Sequence, residues 1–185
     1  MAAVTSLSLP IPRSKSLTQR ALFIAALRPE ATVIATPLDC DDSRRLSELC
    51  ALLGARIDWD ERHATVTPAA RLTAPAAPVP CGNAGTAVRF GACLSLLCDG
   101  ALGLDGDEHM RARPIGPLAT SLGALGVEAR YLGRAGSPPV VFERLGAHGR
   151  RFPEVLVRGA VASIWRAFAP APARQVKTRR RDKRP

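Results

Sequence analysis

Several kinds of protein are excluded by what this chain lacks. Aromatic residues make up only 4% of its 185 residues, so a core must be built from Ala, Leu and Val. Such small side chains suit helices packed closely on a sheet. No run of 18 apolar residues occurs, which removes the usual signature of a membrane helix. The start, MAAVTSLSLPIPRSK, has no basic segment followed by an apolar stretch, so it does not read as a secretory leader, and cytoplasmic residence is expected. The five cysteines (Cys40, Cys50, Cys81, Cys93 and Cys98) are odd in number and form no CxxC pair. Free, mostly buried thiols are expected rather than disulfides or a zinc site. His63, His109 and His148 have no metal-ligand spacing and receive no role.

Negative charge is scarce: the net charge is +10, which raises nucleic-acid binding as one reading. Its distribution argues otherwise. Residues 174–185 carry a net +6, leaving about +4 for everything before them. A modest basic excess suits a fold that grips small anions, since a positive cleft concentrates them.

Two stretches share one plan. The first runs SKSLTQRALFIAAL, ATVIATPL, DCDDSRRLSELCALLGARIDW and HATVTP. The second runs GNAGTAVRFGACLSLL, GALGLDG, DEHMRARPIGPLATSLGALGVEARYL and PPVVFER. Each has a small-polar loop with a basic residue, an Ala/Leu-rich helix, a short apolar strand, a second helix stopping at Gly, and a closing hairpin. Gly54 and Gly126 are the matching stops, 72 positions apart, and Arg20 and Arg89 are 69 apart. The period is too long for a solenoid and fits two copies of a β-α-β-α-β-β unit. The division expected is a leading strand in 1–12, a first unit in 13–67, a Pro/Ala-rich linker in 68–80 and a second unit in 81–150. A broken third unit and a disordered basic tail are expected in 151–185.

Three segments carry groups that hold anions. Arg13-Ser14-Lys15-Ser16 leads into the first helix, with Ser14 or Ser16 available as cap and Arg20 one turn beyond Ser16. Free N–H groups at a helix start favour anions. Gly82-Asn83-Ala84-Gly85-Thr86 opens the second unit at the equivalent place, and its glycines let the backbone approach a ligand closely. The loop is neither a Walker loop nor a dinucleotide fingerprint. Arg113 precedes Pro114 near the start expected for the fourth helix, where a guanidinium can take a carboxylate or phosphate bidentately. Asp39, Asp41 and Asp42 precede the second helix and complement its dipole, a structural role.

In this order SKSLTQRAL, LDCDDSRRL, GNAGTAVR and RARPIGPL resemble the N-terminal motifs of the 3-phosphoshikimate 1-carboxyvinyltransferase (EPSP synthase) family, from about Pro10 to Val141. The resemblance implies an α/β fold of repeated β-α-β-α-β-β units, three to a lobe and two lobes to an enzyme. It implies enolpyruvyl transfer from phosphoenolpyruvate to shikimate 3-phosphate, with phosphate released and no metal or organic cofactor. Carried over by motif, Lys15 contacts phosphoenolpyruvate and both substrates meet there, while Ser16 and Arg20 hold shikimate 3-phosphate. Asn83, Gly85 and Thr86 face phosphoenolpyruvate, and Arg113 binds it. Lys15 and Arg113 are the expected catalytic residues.

The chain departs from the family in three places. Phe90 stands where the family often has Pro, with an expected effect on the helix bearing Thr86. Of the family's Ser-Ser-Gln motif only Ser163 remains, in Ala162-Ser163-Ile164, as the expected phosphate contact. No second lobe follows, so the expectation is a truncated member, frameshifted near residue 160, that is inactive alone unless a separate lobe joins it. The related UDP-N-acetylglucosamine enolpyruvyl transferase and a non-catalytic nucleic-acid-binding remnant stay open as alternatives.

Overall fold

The computed structural model describes residues 7–10, as backbone, and residues 14–145. The expected third unit and tail, Ser163 among them, lie outside the described residues.

β1 (Leu7–Pro10) leads to α1 (Lys15–Leu27) and back to β2 (Thr32–Ala35), which runs parallel to β1. α2 (Asp41–Leu52) follows, then the hairpin β3 (Arg56–Trp59) and β4 (His63–Thr67). β4 inserts antiparallel beside β2, giving the order β1-β2-β4-β3. Next come β5 (Leu72–Thr73) and β6 (Val79–Pro80), α3 (Gly85–Leu94), β7 (Cys98–Asp99) and β8 (Leu102–Asp105). The second half closes with α4 (Glu108–Arg111), α5 (Gly116–Gly123), β9 (Val127–Tyr131) and β10 (Val140–Arg144). Its order is β6-β8-β10-β9, with β6 parallel to β8 and the other pairs antiparallel. The two sheets thus have the same topology and strand directions, a β-α-β-α-β-β plan drawn twice. β5 and β7 form a separate parallel pair.

Two details differ from the sequence expectation. The stretch 68–80 carries β5 and the first strand of the second sheet. One helix is expected here, starting near Pro114, and the structure adds the short α4 before it. Asp107 caps α4, its Oδ1 accepting from the Met110 N–H at 2.8 Å. Pro114 then breaks it, because the residue before a proline is pushed out of helical geometry and proline has no N–H to give. The chain restarts at Gly116, and Arg113 lies in the turn between the helices.

The core follows from the composition. Leu22, Ile34, Leu46, Leu49, Leu53, Leu102, Leu104 and Phe142 are fully buried, with alanines between them. Burial of each large side chain contributes about 1.5–3 kcal/mol. Close helix packing depends on a missing side chain: a Cβ at Gly91 of α3 would stand 2.9 Å from Leu104 and 3.0 Å from Leu49. α3 therefore rests directly on β8 and α2. The helix stops are as the repeat requires, with Gly54 and Gly126 in the left-handed region at φ +106° and +84°.

In a parallel β-α-β crossover each helix begins outside the carboxyl end of the strand before it. The starts of α1 and α2 thus share one rim of the first sheet, and those of α3 and α4 one rim of the second.

Candidate functional site

The rim of the first sheet is ion-paired. Lys15 opens α1, its side chain more than half exposed, and its Nζ donates to Asp42 Oδ2 at 3.2 Å. Asp42 lies in the first turn of α2, so this pair joins two helix starts. Ser14 is the N-cap by position, yet its side chain accepts no capping bond. Ser16 is engaged by Arg20 instead: the guanidinium donates to both its hydroxyl and, at 3.2 Å, its carbonyl oxygen. Lys15, Ser16 and Arg20 form one exposed, donor-rich strip on α1. Asp39 before α2 and Asp41 and Asp42 in its first turn all find cations. Asp39 accepts two bonds from Arg44, at 2.6 and 2.5 Å, and those bonds hold its carboxyl below the usual carboxylate range. Asp41 faces Arg45 at 3.4 Å.

The rim of the second sheet is built around absent side chains. Gly82 sits at φ +54°, and its carbonyl oxygen accepts the Asp107 N–H at 3.1 Å. The Cys81 N–H donates to the Asp105 carbonyl at 2.8 Å, so the loop before α3 is laced to the loop before α4. Gly85, the first residue of α3, is buried. A Cβ there would stand 3.0 Å from Arg89 Nη1 and 3.1 Å from Arg113 Nη1. Two guanidinium groups therefore lie over bare backbone at a helix start. Arg89 is anchored by the Gly85 carbonyl, to which it donates at 3.1 Å, and Arg113 is exposed. Asn83 is exposed, Thr86 half-buried. Positive charge and close backbone access at a helix start are the features that suit an anion.

Neighbouring groups fix this rim without joining it. Arg111 donates twice to Asp105, at 2.9 and 2.6 Å, lowering that carboxyl's pKa. Burial pushes the Cys81 thiol up to about 12, so it is no nucleophile near neutral pH. Among the described residues no three His, Cys, Asp or Glu side chains cluster to hold a metal. No helix there is long and apolar enough to cross a membrane.

The structure thus brings Lys15, Ser16 and Arg20 together on one helix start, and Gly85 and Arg113 together at another, with Asn83 and Thr86 beside Gly85. Ser163 lies outside the described residues. Sequence reasoning missed three participants. Arg89 was read only as a repeat marker, although its i+4 spacing from Gly85 puts it on the same helix face. Asp42 and Arg45 touch the rim through tertiary contacts that no local spacing signals.

The profile of EPSP synthase (3-phosphoshikimate 1-carboxyvinyltransferase) matches residues 5–163. The 3-phosphoshikimate 1-carboxyvinyltransferase of Rhizobium etli is 40% identical over 155 residues, which cover 82% of this chain and 36% of that protein. The protein of the same name from Methanopyrus kandleri is 39% identical over 150 residues, covering 75% and 35%. Among solved structures, EPSP synthase from Acinetobacter baumannii superimposes with a TM-score of 0.67 at 21% identity, over 83% of this chain and 38% of that one. The chain spans about 36% of the length of such a curated relative.

Proposed function

The chain belongs to the EPSP synthase family, and from that membership we propose that its two rims bind the substrates of enolpyruvyl transfer, shikimate 3-phosphate and phosphoenolpyruvate. Lys15, Ser16 and Arg20 take shikimate 3-phosphate. Asn83, Gly85, Thr86 and Arg113 take phosphoenolpyruvate, with Lys15 reaching it from the other rim. The observation that carries this reading is the Arg113 guanidinium over the bare Gly85 backbone. A planar ligand with a carboxylate and a phosphate fits such a surface, because a fork of N–H donors meets a flat face with no Cβ in the way.

The chemistry explains the excess of cations. Each substrate carries a carboxylate and a phosphate. Two unit charges held 4 Å apart repel by about 4 kcal/mol at an effective dielectric of about 20, so fixed donors must offset that repulsion before carbon and oxygen can meet. The substrate hydroxyl then adds to the enol carbon, losing its proton, while the methylene carbon gains one. The tetrahedral adduct next loses a methyl proton and phosphate, which restores the double bond. Positioning and proton transfer are the tasks left to the protein. Lys15 is the only lysine among the described residues 14–145, and we assign it and Arg113 the catalytic roles. These residues alone turn over negligibly under this proposal, since nearly two thirds of a full-length relative has no counterpart here. A second lobe, supplied by further chain or a separate polypeptide, completes the reaction. The relatives do not favour the UDP-N-acetylglucosamine or nucleic-acid readings.

Calorimetry on the 185-residue chain tests this. Shikimate 3-phosphate binds, Arg20→Ala removes that binding, and Arg113→Ala removes phosphoenolpyruvate binding while sparing shikimate 3-phosphate. UDP-N-acetylglucosamine binds no better than buffer. If neither proposed substrate binds, or if both variants behave as wild type, the assignment is wrong.

A further inference from the structure

α2 stands between the two rims. Asp42 of its first turn holds Lys15 on one side, and Arg45, one residue beyond that turn, faces Gly82 on the other. A Cβ on Gly82 would lie 3.2 Å from Arg45 Nε, 3.7 Å from Cζ and 3.8 Å from Cδ. The guanidinium end of Arg45 thus covers the Cα face of Gly82.

Arg45 is not free to swing away. Its Nη1 donates to Glu48 Oε2 at 3.2 Å, one turn ahead. Its Nε faces Asp41 Oδ1 at 3.4 Å, one turn behind, at ion-pair distance without the alignment of a hydrogen bond. Two carboxylates of its own helix stretch the side chain along α2, with its flat end against the loop. Surface pairs of this kind contribute little stability. Here they hold a side chain in one place.

What Arg45 covers leads to the second rim. The Gly82 carbonyl accepts from Asp107, Asp107 caps α4 through the Met110 N–H, and the Met110 carbonyl accepts the Arg113 N–H at 2.9 Å. The same Gly82 begins the loop that ends at Gly85. Both partners of the Arg113 and Gly85 pair therefore hang on the residue Arg45 covers.

We propose that Arg45 is a positioning residue, a latch by which the first β-α-β-α-β-β unit fixes the anion-binding loop Gly82–Thr86 and the Arg113 turn of the second. It touches no ligand and acts through Gly82. The consequence for ligand affinity rests on the function proposed above, whereas the latch itself does not.

Two readouts keep these apart. The first is amide hydrogen exchange in the unliganded chain, comparing wild type, Arg45→Ala and Arg45→Lys. In Arg45→Ala the Asp107, Gly85 and Ala84 amides exchange about tenfold faster, while amides of the β9–β10 ladder keep their rates. Arg45→Lys restores most of the protection, because a lysine still pairs with Asp41 and Glu48 and covers Gly82 with its stem. The second readout is calorimetry. Arg45→Ala weakens phosphoenolpyruvate about five- to tenfold and leaves shikimate 3-phosphate within about twofold, a split that general destabilisation does not produce. If the three amides keep wild-type rates in Arg45→Ala, or if every amide accelerates together, the latch is refuted. If the amides respond while wild type binds neither ligand, the latch stands and the functional assignment falls.

Discussion

Gly106→Ala is the sharpest test of how the second rim is assembled. Gly106 lies between β8 and the Asp107 cap. A Cβ there would fall inside contact distance of the Gly82 carbonyl oxygen and 2.5 Å from Met110 Cβ and Cγ. None of these is the tip of a flexible side chain, so backbone must move. The displaced carbonyl is the one that accepts the Asp107 N–H. Loss of that bond costs about 1 kcal/mol. Forcing a methyl into a packed site adds about 1–3 kcal/mol. The sum, about 2–4 kcal/mol, corresponds to a melting temperature lower by roughly 5–15 °C for a chain of this size. Gly123→Ala is the matched control, because a Cβ at Gly123 meets nothing within 4 Å. It melts at or slightly above the wild-type temperature, since Ala is the better helix former. Thermal denaturation followed by far-ultraviolet circular dichroism reads both variants. Should Gly106→Ala melt within about 2 °C of Gly123→Ala, less than 1 kcal/mol would separate them and the close approach would not exist.

Three further expectations follow from the same contacts. At Gly85 the obstructing atoms are arginine tips, so Gly85→Ala shifts the guanidinium groups and not the backbone. It folds with a melting temperature within about 3 °C of wild type but loses about tenfold or more in phosphoenolpyruvate affinity by calorimetry, and a large melting shift would contradict this. Asp39 and Asp105 have folded-state pKa values below the ordinary 3.8, caused first by hydrogen bonds from Arg44 and Arg111. Depressed carboxylates stabilise the fold above their unfolded pKa and lose that contribution as pH falls through the folded value. The urea midpoint therefore holds steady from about pH 7 to 5 and drops below about pH 4. Asp105→Asn is less stable at neutral pH with a shallower acid slope, and an unchanged slope would remove Asp105 from the account. Burial pushes Cys50 and Cys81 up to about 12 and Cys98 to about 11, so a disulfide reagent at pH 8 leaves these three untouched in the native chain. Cys40, half-buried at the start of α2, reacts ahead of Cys93, also half-buried but with its pKa raised by burial, and mass mapping of modified Cys50 or Cys81 without denaturant would contradict the burial.

Much of the fold was legible because its signals are local. The Gly54 and Gly126 stops need only an αL residue after an apolar-periodic helix, and both occupy that region. The doubled unit showed in the sequence because each copy repeats loop, helix, strand and stop in the same order. The helix expected to start near Pro114 is α5, which begins at Gly116, but the short α4 ahead of it was missed, and the Asp107 cap three residues before Met110 was its signal. β5 and β6 were missed because two-residue strands in a Pro/Ala-rich stretch have no periodicity to detect.

The two rims also show why only part of the site was readable. In the first, the proposed ligand groups are side chains at one helix start, so Lys15, Ser16 and Arg20 are found by counting residues. In the second, the site is a glycine surface over which arginines from two places lie. One of them, Arg89, shares a helix with Gly85 and was within reach of the i+4 rule. The other, Arg113, arrives through the chain of bonds from Gly82 by way of Asp107 and Met110. A duplicated topology thus supplies two equivalent helix starts on two equivalent rims, and the units diverge in how they use them. One projects cations outward. The other leaves bare backbone at Gly85, with its own Arg89 and Arg113 guanidinium groups lying over it. The second arrangement needs its loop held from outside, because glycines order themselves poorly. Arg45 of the first unit lies where such a hold is required, over Gly82.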